Sequence, residues 1–181
     1  MSSDKVGFYS GIGITQQLKG NLDEAIKCYK KAIAINPSEN EALTNIGIAY
    51  CSQGNFPKAI KAFKRAIKIN PGNSEAHYNL GLIYRGQKDR KKTILHFKKV
   101  ILINPDYVQA HNALGLEYVG QGRYKEALKA FREALKRNPK FINAYNNLGD
   151  VYQKQGKKAL AKKSYSSFKT ALFDNGQSKS Q

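Results

Sequence analysis

The sequence predicts an all-α protein built from five consecutive helix pairs. The first observation behind this prediction is a period of 34 residues along a chain of 181 residues. The second is a spacing of three and four between apolar residues within each period, which is typical of amphipathic helices. The third is an Asn-Pro pair near the end of four periods. These pairs are Asn36-Pro37, Asn70-Pro71, Asn104-Pro105 and Asn138-Pro139.

The period of 34 involves several residue types at once. One glycine per copy keeps this step, and so does one aromatic residue. The glycines are Gly13, Gly47, Gly81, Gly115 and Gly149, and the aromatic residues are Tyr29, Phe63, Phe97, Phe131 and Tyr165. Repeats that share a phase in this way predict a stack of equivalent structural units. The predicted copies are 6–39, 40–73, 74–107, 108–141 and 142–175, with flexible termini at 1–5 and 176–181.

The second copy shows how one period forms two helices. Its first apolar stripe ends at Tyr50, and its second stripe begins at Ala59. Gly54-Asn55, between the two stripes, is a turn signal. Asn70-Pro71 ends the second helix, because proline disfavours helical backbone in the residue before it. Gly47 and Phe63 are a small and a large residue placed where the two helices must approach closely.

The multi-residue motifs of these copies resemble those of the tetratricopeptide repeat (TPR) family. That family has the pattern W-x2-L-G-x2-Y, then A-x3-F, then P, at period 34. The matching segments are His77-x2-Leu80-Gly81-x2-Tyr84, His111-x2-Leu114-Gly115-x2-Tyr118 and Ala59-x3-Phe63. The resemblance implies a right-handed superhelical solenoid of five antiparallel helix pairs. It also implies a non-catalytic protein–protein interaction scaffold, with the first helices lining a concave groove and the second helices on the convex side.

The third copy departs from the pattern at the turn between its helices. Lys88 stands where the neighbouring copies have Gly54 and Gly122. If Lys88 takes a left-handed backbone conformation, the strain amounts to about 1 kcal/mol. We therefore expect the third hairpin to be the weakest of the five.

The net charge is concentrated on the predicted second helices. The chain has 31 Lys and Arg against 13 Asp and Glu, which gives a formal charge of +18. The second helices hold 24 of the basic residues and five of the acids. A solvated lysine-rich face is one interpretation, since Lys is a good helix former. The alternative is an adaptor that docks on an anionic surface such as membrane headgroups, nucleic acid or an acidic protein. Lysines that are not interleaved with stacking aromatics argue against nucleic acid.

The first helices leave a second face that the repeat core does not use. Counted from the start of each copy, position six holds Asn45, Asn79 and Asn147, with Asn112 one residue out of register. Position nine holds an apolar residue in successive copies, among them Ile48, Leu82 and Leu116. An Asn amide both donates and accepts, so it can bind a peptide backbone without reading its sequence. Helix-surface polarity and packing within the groove remain the simpler alternatives. The predicted peptide-binding residues are Asn45, Asn79, Asn112, Asn146, Asn147, Ile48, Leu82, Leu116 and Arg85.

Residue patterns that carry catalysis or metal binding are not found in the sequence. The three histidines, His77, His96 and His111, do not have metal-ligand spacing, and Cys28 and Cys51 form no Cys-x2-Cys motif. We therefore predict that the protein is not an enzyme and has no cofactor or metal. Without an apolar run of membrane-spanning length or a signal peptide, the expected location is the cytoplasm.

The predicted partner is a protein or peptide held in the concave groove. A second hypothesis is self-association through the terminal repeats. Few residues follow the fifth helix pair, and Phe168 stands where earlier copies have alanine. A terminal repeat needs a polar outer face for solubility, so an uncovered Phe168 favours contact with another chain.

Overall fold

A computed structural model describes the backbone of residues 2–173 and the side chains of residues 4–167. Within that range, every regular element is an α-helix, which confirms the predicted all-α class. The helices are α1 (Ser2–Leu18), α2 (Leu22–Ile35), α3 (Asn40–Ser52), α4 (Phe56–Ile69), α5 (Ser74–Gly86), α6 (Arg90–Ile103), α7 (Val108–Val119), α8 (Tyr124–Arg137), α9 (Ile142–Lys154) and α10 (Lys158–Phe173).

The structure describes part of the N-terminal segment predicted to be flexible, and it does not describe the C-terminal one. Residues 2–5, expected to be flexible, form the first turn of α1. No proline interrupts this segment, and Asp4 lies in the first turn, where a negative charge is favourable to the helix dipole. Residues 176–181 lie outside the described residues, as does the side chain of Phe168.

The chain divides into two compact units, Met1–His96 and Phe97–Gln181, and the division falls inside α6. In the first unit each helix from α1 to α5 packs against the next, and α3 also contacts both α1 and α5. In the second unit α7 packs against α8, α8 against α9 and α9 against α10, and α7 also contacts α9. These contacts between successive first helices are those of a helical repeat solenoid.

Among the contacts described, a glycine of the first helix faces an aromatic ring of the second helix in four of the helix pairs. A Cβ atom added at Gly47 of α3 would lie 2.6 Å from the Phe63 ring of α4, and Phe63 is fully buried. The same juxtaposition joins Gly115 to Phe131 in the second unit. Only glycine therefore allows the two helices of a pair to approach this closely.

The turn inside each helix pair uses a residue with left-handed backbone. Gly20, Gly54, Gly122 and Gly156 have φ values between 69° and 82°. Lys88 occupies the equivalent turn of the third copy with φ 59°. Its neighbour Asp89 donates its backbone N–H to Tyr84 at 2.9 Å, matching the 2.8 Å bond from Asn55 to Tyr50. The turn is thus kept with a lysine in place of glycine, and the lysine carries the strain of about 1 kcal/mol.

The Asn-Pro pairs end the second helices by a specific local structure. Asn70 has extended backbone, as a residue before proline favours. Its side-chain Oδ1 accepts a hydrogen bond from the backbone N–H of Gly72 at 2.9 Å. In the same way, the Oδ1 atoms of three other asparagines accept from the backbone N–H two residues further on. The pairs are Asn36 and Ser38, Asn104 and Asp106, and Asn138 and Lys140. An asparagine precedes each proline because its side chain closes this turn.

Candidate functional site

In the first unit, two predicted binding residues line one cavity. Asn79 and Leu82 of α5 face it, with Cys51 of α3 and Phe56 at the start of α4 completing the apolar wall. The cavity has a volume of about 390 Å³. Burial raises the pKa of the Cys51 thiol, so this group stays neutral and adds to the apolar character. Phe56 remains 46% exposed, which leaves the mouth of the cavity open to a ligand.

In the second unit, a similar arrangement joins α7 and α9. A cavity of about 430 Å³ is lined by Leu116 of α7 and by Asn147 and Asp150 of α9, among other residues. Leu116 is 38% exposed. As in the first unit, an amide at position six and an apolar residue at position nine border the same space. The predicted face therefore carries a cavity in each unit.

Some of the predicted asparagine side chains form hydrogen bonds within the protein. Asn79 donates from Nδ2 to the backbone carbonyl of Glu75 at 2.9 Å. Asn147 donates from Nδ2 to the Oδ1 of Asn112 at 2.7 Å. The structure thus brings Asn112 and Asn147 together although the sequence places them one residue out of register. Because an amide has two N–H donors and one carbonyl acceptor, these bonds use only part of its capacity.

The other predicted binding residues do not line either of the two cavities. Asn45 is half-buried on α3, and Ile48 of the same helix packs against the core of the first unit. Ile48 therefore has the contacts that the packing alternative expects, and its part in ligand binding stays a prediction. Arg85 and Asn146 are exposed. Arg85 lies close enough to Tyr78 to oppose the rise that burial causes in the pKa of that phenol.

Phe56 is a site residue that sequence reasoning missed. It is the first residue of α4, whereas the predicted face considered the first helix of each pair alone. The signal in the sequence is a large apolar residue directly after the Gly54-Asn55 turn. A residue in this place lines the cavity between two first helices, α3 and α5.

The second helices bear exposed basic side chains, and most of their acidic side chains form ion pairs with them. Lys27 contacts Glu24 at 2.6 Å, Lys92 contacts Asp89 at 2.6 Å, and Arg123 contacts Glu126 at 2.9 Å, while Arg137 pairs with Glu133. Hydrogen bonds from these basic partners lower the pKa of Asp89, Glu126 and Glu133. Some lysines also have structural contacts with tyrosine rings. Lys58 lies 5.6 Å from the Tyr50 ring centroid, and Lys31 lies 5.2 Å from that of Tyr9.

Family profiles match most of this chain. A profile described as a TPR repeat matches residues 18–54, 47–88 and 115–156, and a profile described as a tetratricopeptide repeat matches residues 74–107. The chain belongs to the tetratricopeptide repeat family. No match was found among curated proteins.

Solved structures share the fold of this TPR protein over nearly its whole length. MamA is 28% identical, with a TM-score of 0.80 over 92% of this chain and 97% of MamA. PilF of Pseudomonas aeruginosa is 18% identical, with a TM-score of 0.85 over 94% of this chain and 78% of PilF. YrrB, described as a TPR protein with an unusual peptide-binding site, is 20% identical, with a TM-score of 0.71 over 92% and 86% of the two chains. At their level of identity, PilF and YrrB show the fold alone.

Among the helices described here, none combines the length and the apolar character that a bilayer-crossing segment needs.

Proposed function

We propose that this TPR protein is a non-catalytic scaffold that binds an extended peptide segment of a partner protein on its first helices. The observation that carries this proposal is the repeated pairing of an amide with an apolar wall. Asn79 and Leu82 border a cavity in the first unit, and Asn147 and Leu116 border one in the second. A peptide needs both elements, since its backbone is polar and its side chains seek apolar pockets.

Two further facts support a peptide as the ligand class. Stacked helical repeats use their surfaces as extended binding faces for other proteins. YrrB, which has this fold, is described as having a peptide-binding site. The cytoplasm is the proposed location, because Cys28 and Cys51 are free thiols, as a reducing compartment maintains them.

Site-directed photo-crosslinking in the native host tests the proposal. One variant carries a photoreactive amino acid in place of Leu82, and a matched control carries it in place of Lys61, which is exposed on α4. We expect a defined partner to be crosslinked from position 82 and not from position 61. Peptide mapping of the adduct then identifies the bound segment. Crosslinking from position 61 with none from position 82 would overturn the proposal.

A second candidate function is docking on an anionic membrane surface through the second helices. The observation in its favour is the row of exposed basic residues on α4, which includes Lys61, Lys64 and Lys68. Co-sedimentation with vesicles that contain phosphatidylserine, compared with phosphatidylcholine alone, distinguishes this candidate. Electrostatic docking requires binding to the anionic vesicles that is lost at raised salt. The peptide proposal predicts equal and weak sedimentation with both.

A further inference from the structure

The third helix pair places two histidines in direct contact. His77 of α5 and His96 of α6 have their Nδ1 atoms 3.0 Å apart, and their ring centroids are 5.2 Å apart. His77 is buried, with 8% of its surface exposed, and His96 is half-buried. Both residues belong to the first unit. The sequence separates them by 19 positions on two different helices, so their meeting depends on the hairpin between α5 and α6.

Aromatic and basic side chains surround His96. Burial lowers the pKa of His96 to about 4, and the neighbouring His77 and Lys64 lower it in the same direction. On its other side the His96 ring stacks on Tyr84 at a centroid distance of 5.4 Å. Lys92 lies above that same tyrosine ring at 5.1 Å. A neutral imidazole offers a nitrogen lone pair, which is the form that binds metal ions.

We propose that His77 and His96 form a two-histidine site for a divalent transition metal, with Cu²⁺ the preferred ion. Metal–imidazole bonds are about 2.0–2.1 Å long. Two nitrogens bound side by side in a tetragonal Cu²⁺ or Ni²⁺ site then lie about 2.8–3.0 Å apart, whereas a tetrahedral ion requires about 3.3 Å. The two Nδ1 atoms, joined by a hydrogen bond in the metal-free pair, are 3.0 Å apart, so tetragonal coordination requires little change in their separation.

Binding requires a change of tautomer and no net loss of a proton. In the metal-free pair, one Nδ1 carries the hydrogen that the other accepts. That proton moves to the Nε2 of the same ring, which leaves both Nδ1 lone pairs for the metal. Among the residues described, no group of three or more His, Cys, Asp or Glu side chains is placed to hold a metal. Water therefore completes the coordination, and the ion links α5 to α6 across the strained turn at Lys88.

The fourth copy contains a matched control for this site. His111 occupies the same repeat position as His77, but Ala130 stands where the third copy has His96. The Nε2 of His111 lies 2.8 Å from the carbonyl oxygen of Pro105, so this histidine is satisfied within its own turn. A lone buried histidine at the same position should not hold the metal.

Titration of the untagged full chain with Cu²⁺, followed by electron paramagnetic resonance, tests the proposal. We expect one bound ion per chain whose spectrum shows coupling to two imidazole nitrogens, and a higher melting temperature in its presence. His77→Phe and His96→Gln should each weaken binding at least tenfold, while His111→Phe should leave it unchanged. Affinity should fall in the order Cu²⁺, Ni²⁺, Zn²⁺.

Several results would overturn the metal site. Unchanged Cu²⁺ affinity in a folded His96→Gln variant would do so. Loss of binding in a Cys28→Ser, Cys51→Ser double variant that keeps both histidines would assign the ion to the thiols instead. A spectrum with coupling to a single nitrogen would also exclude the pair. Circular dichroism of each variant checks that the helices are retained.

Discussion

At the scale of single residues, Lys88 is the position where the repeat departs furthest from its own pattern. Its left-handed backbone is strained by about 1 kcal/mol, and the greater freedom of glycine in the unfolded chain offsets part of the gain from replacing it. We expect Lys88→Gly to raise the free energy of unfolding by about 0.5–1 kcal/mol in urea titrations. Gly54→Lys, at the equivalent turn, should lower it by a similar amount. A Lys88→Gly variant no more stable than the wild type would contradict this account.

The glycine at the helix–helix contact gives a second residue-scale prediction. Gly47→Ala places a Cβ atom 2.6 Å from the Phe63 ring, which is fully buried, so the ring or the helices must shift. We expect a loss of about 1–3 kcal/mol of stability in thermal unfolding. Gly11 of α1 is the matched control, because an added Cβ there meets nothing within 4 Å. Gly11→Ala should stabilise the helix by about 0.5–1 kcal/mol, and equal effects at the two positions would refute the close-approach argument.

The histidine pair makes stability depend on pH. His96 has a pKa of about 4 in the folded protein against 6.5 for an ordinary histidine. Between these values the unfolded chain binds a proton that the folded chain does not, so stability falls as pH decreases from 6.5 to about 4. Above pH 6.5 the residue has no such effect. We expect the melting temperature of the wild type to fall more than that of His96→Phe across this window, and parallel profiles would contradict the assignment.

At the scale of elements, the start of α5 is tied to α3 by one asparagine. The Oδ1 of Asn73 caps α5 by accepting from the N–H of Ala76 at 2.8 Å, and its Nδ2 donates to the buried Thr44 hydroxyl at 2.8 Å. Asn55 caps α4 in the same way but has the cap bond to Lys58 alone among its side-chain bonds described. Asn73→Ala should therefore lower the unfolding free energy by about 2 kcal/mol, and Asn55→Ala by about 1 kcal/mol. Equal losses would show that the contact with α3 contributes little.

The helix pairs themselves could be predicted because each copy repeats the same local signals. The Asn-Pro ends, the turn glycines and the glycine–aromatic contacts are all local or separated by one hairpin. The contact between His77 and His96 could not be predicted, since it depends on how two helix faces meet and no spacing rule within one helix reports it. The bond between Asn112 and Asn147 was missed for a related reason. A one-residue shift along α7 rotates Asn112 by about 100° from position six, so its contact with the next first helix does not follow from the repeat register.

At the scale of the whole molecule, most of the basic charge lies on the second helices and most of the lining of the two cavities lies on the first helices. The 24 basic residues of the second helices dominate the net charge of +18, whereas the two cavities involve mainly first helices. Exposed ion pairs such as Lys27–Glu24 contribute little to stability. The basic residues of the second helices and the residues that line the cavities can therefore be mutated separately. Their contributions to partner binding can then be measured one at a time.

The most direct test of the peptide proposal is calorimetric titration of the crosslinked partner segment, made as a peptide, into three proteins. We expect Leu82→Asp to weaken binding at least tenfold, because a carboxylate would be buried in the apolar cavity without a partner. Lys61→Glu should leave the affinity nearly equal to that of the wild type, at both low and raised salt. The account is contradicted if Lys61→Glu abolishes binding, or raised salt does, while Leu82→Asp binds as tightly as the wild type.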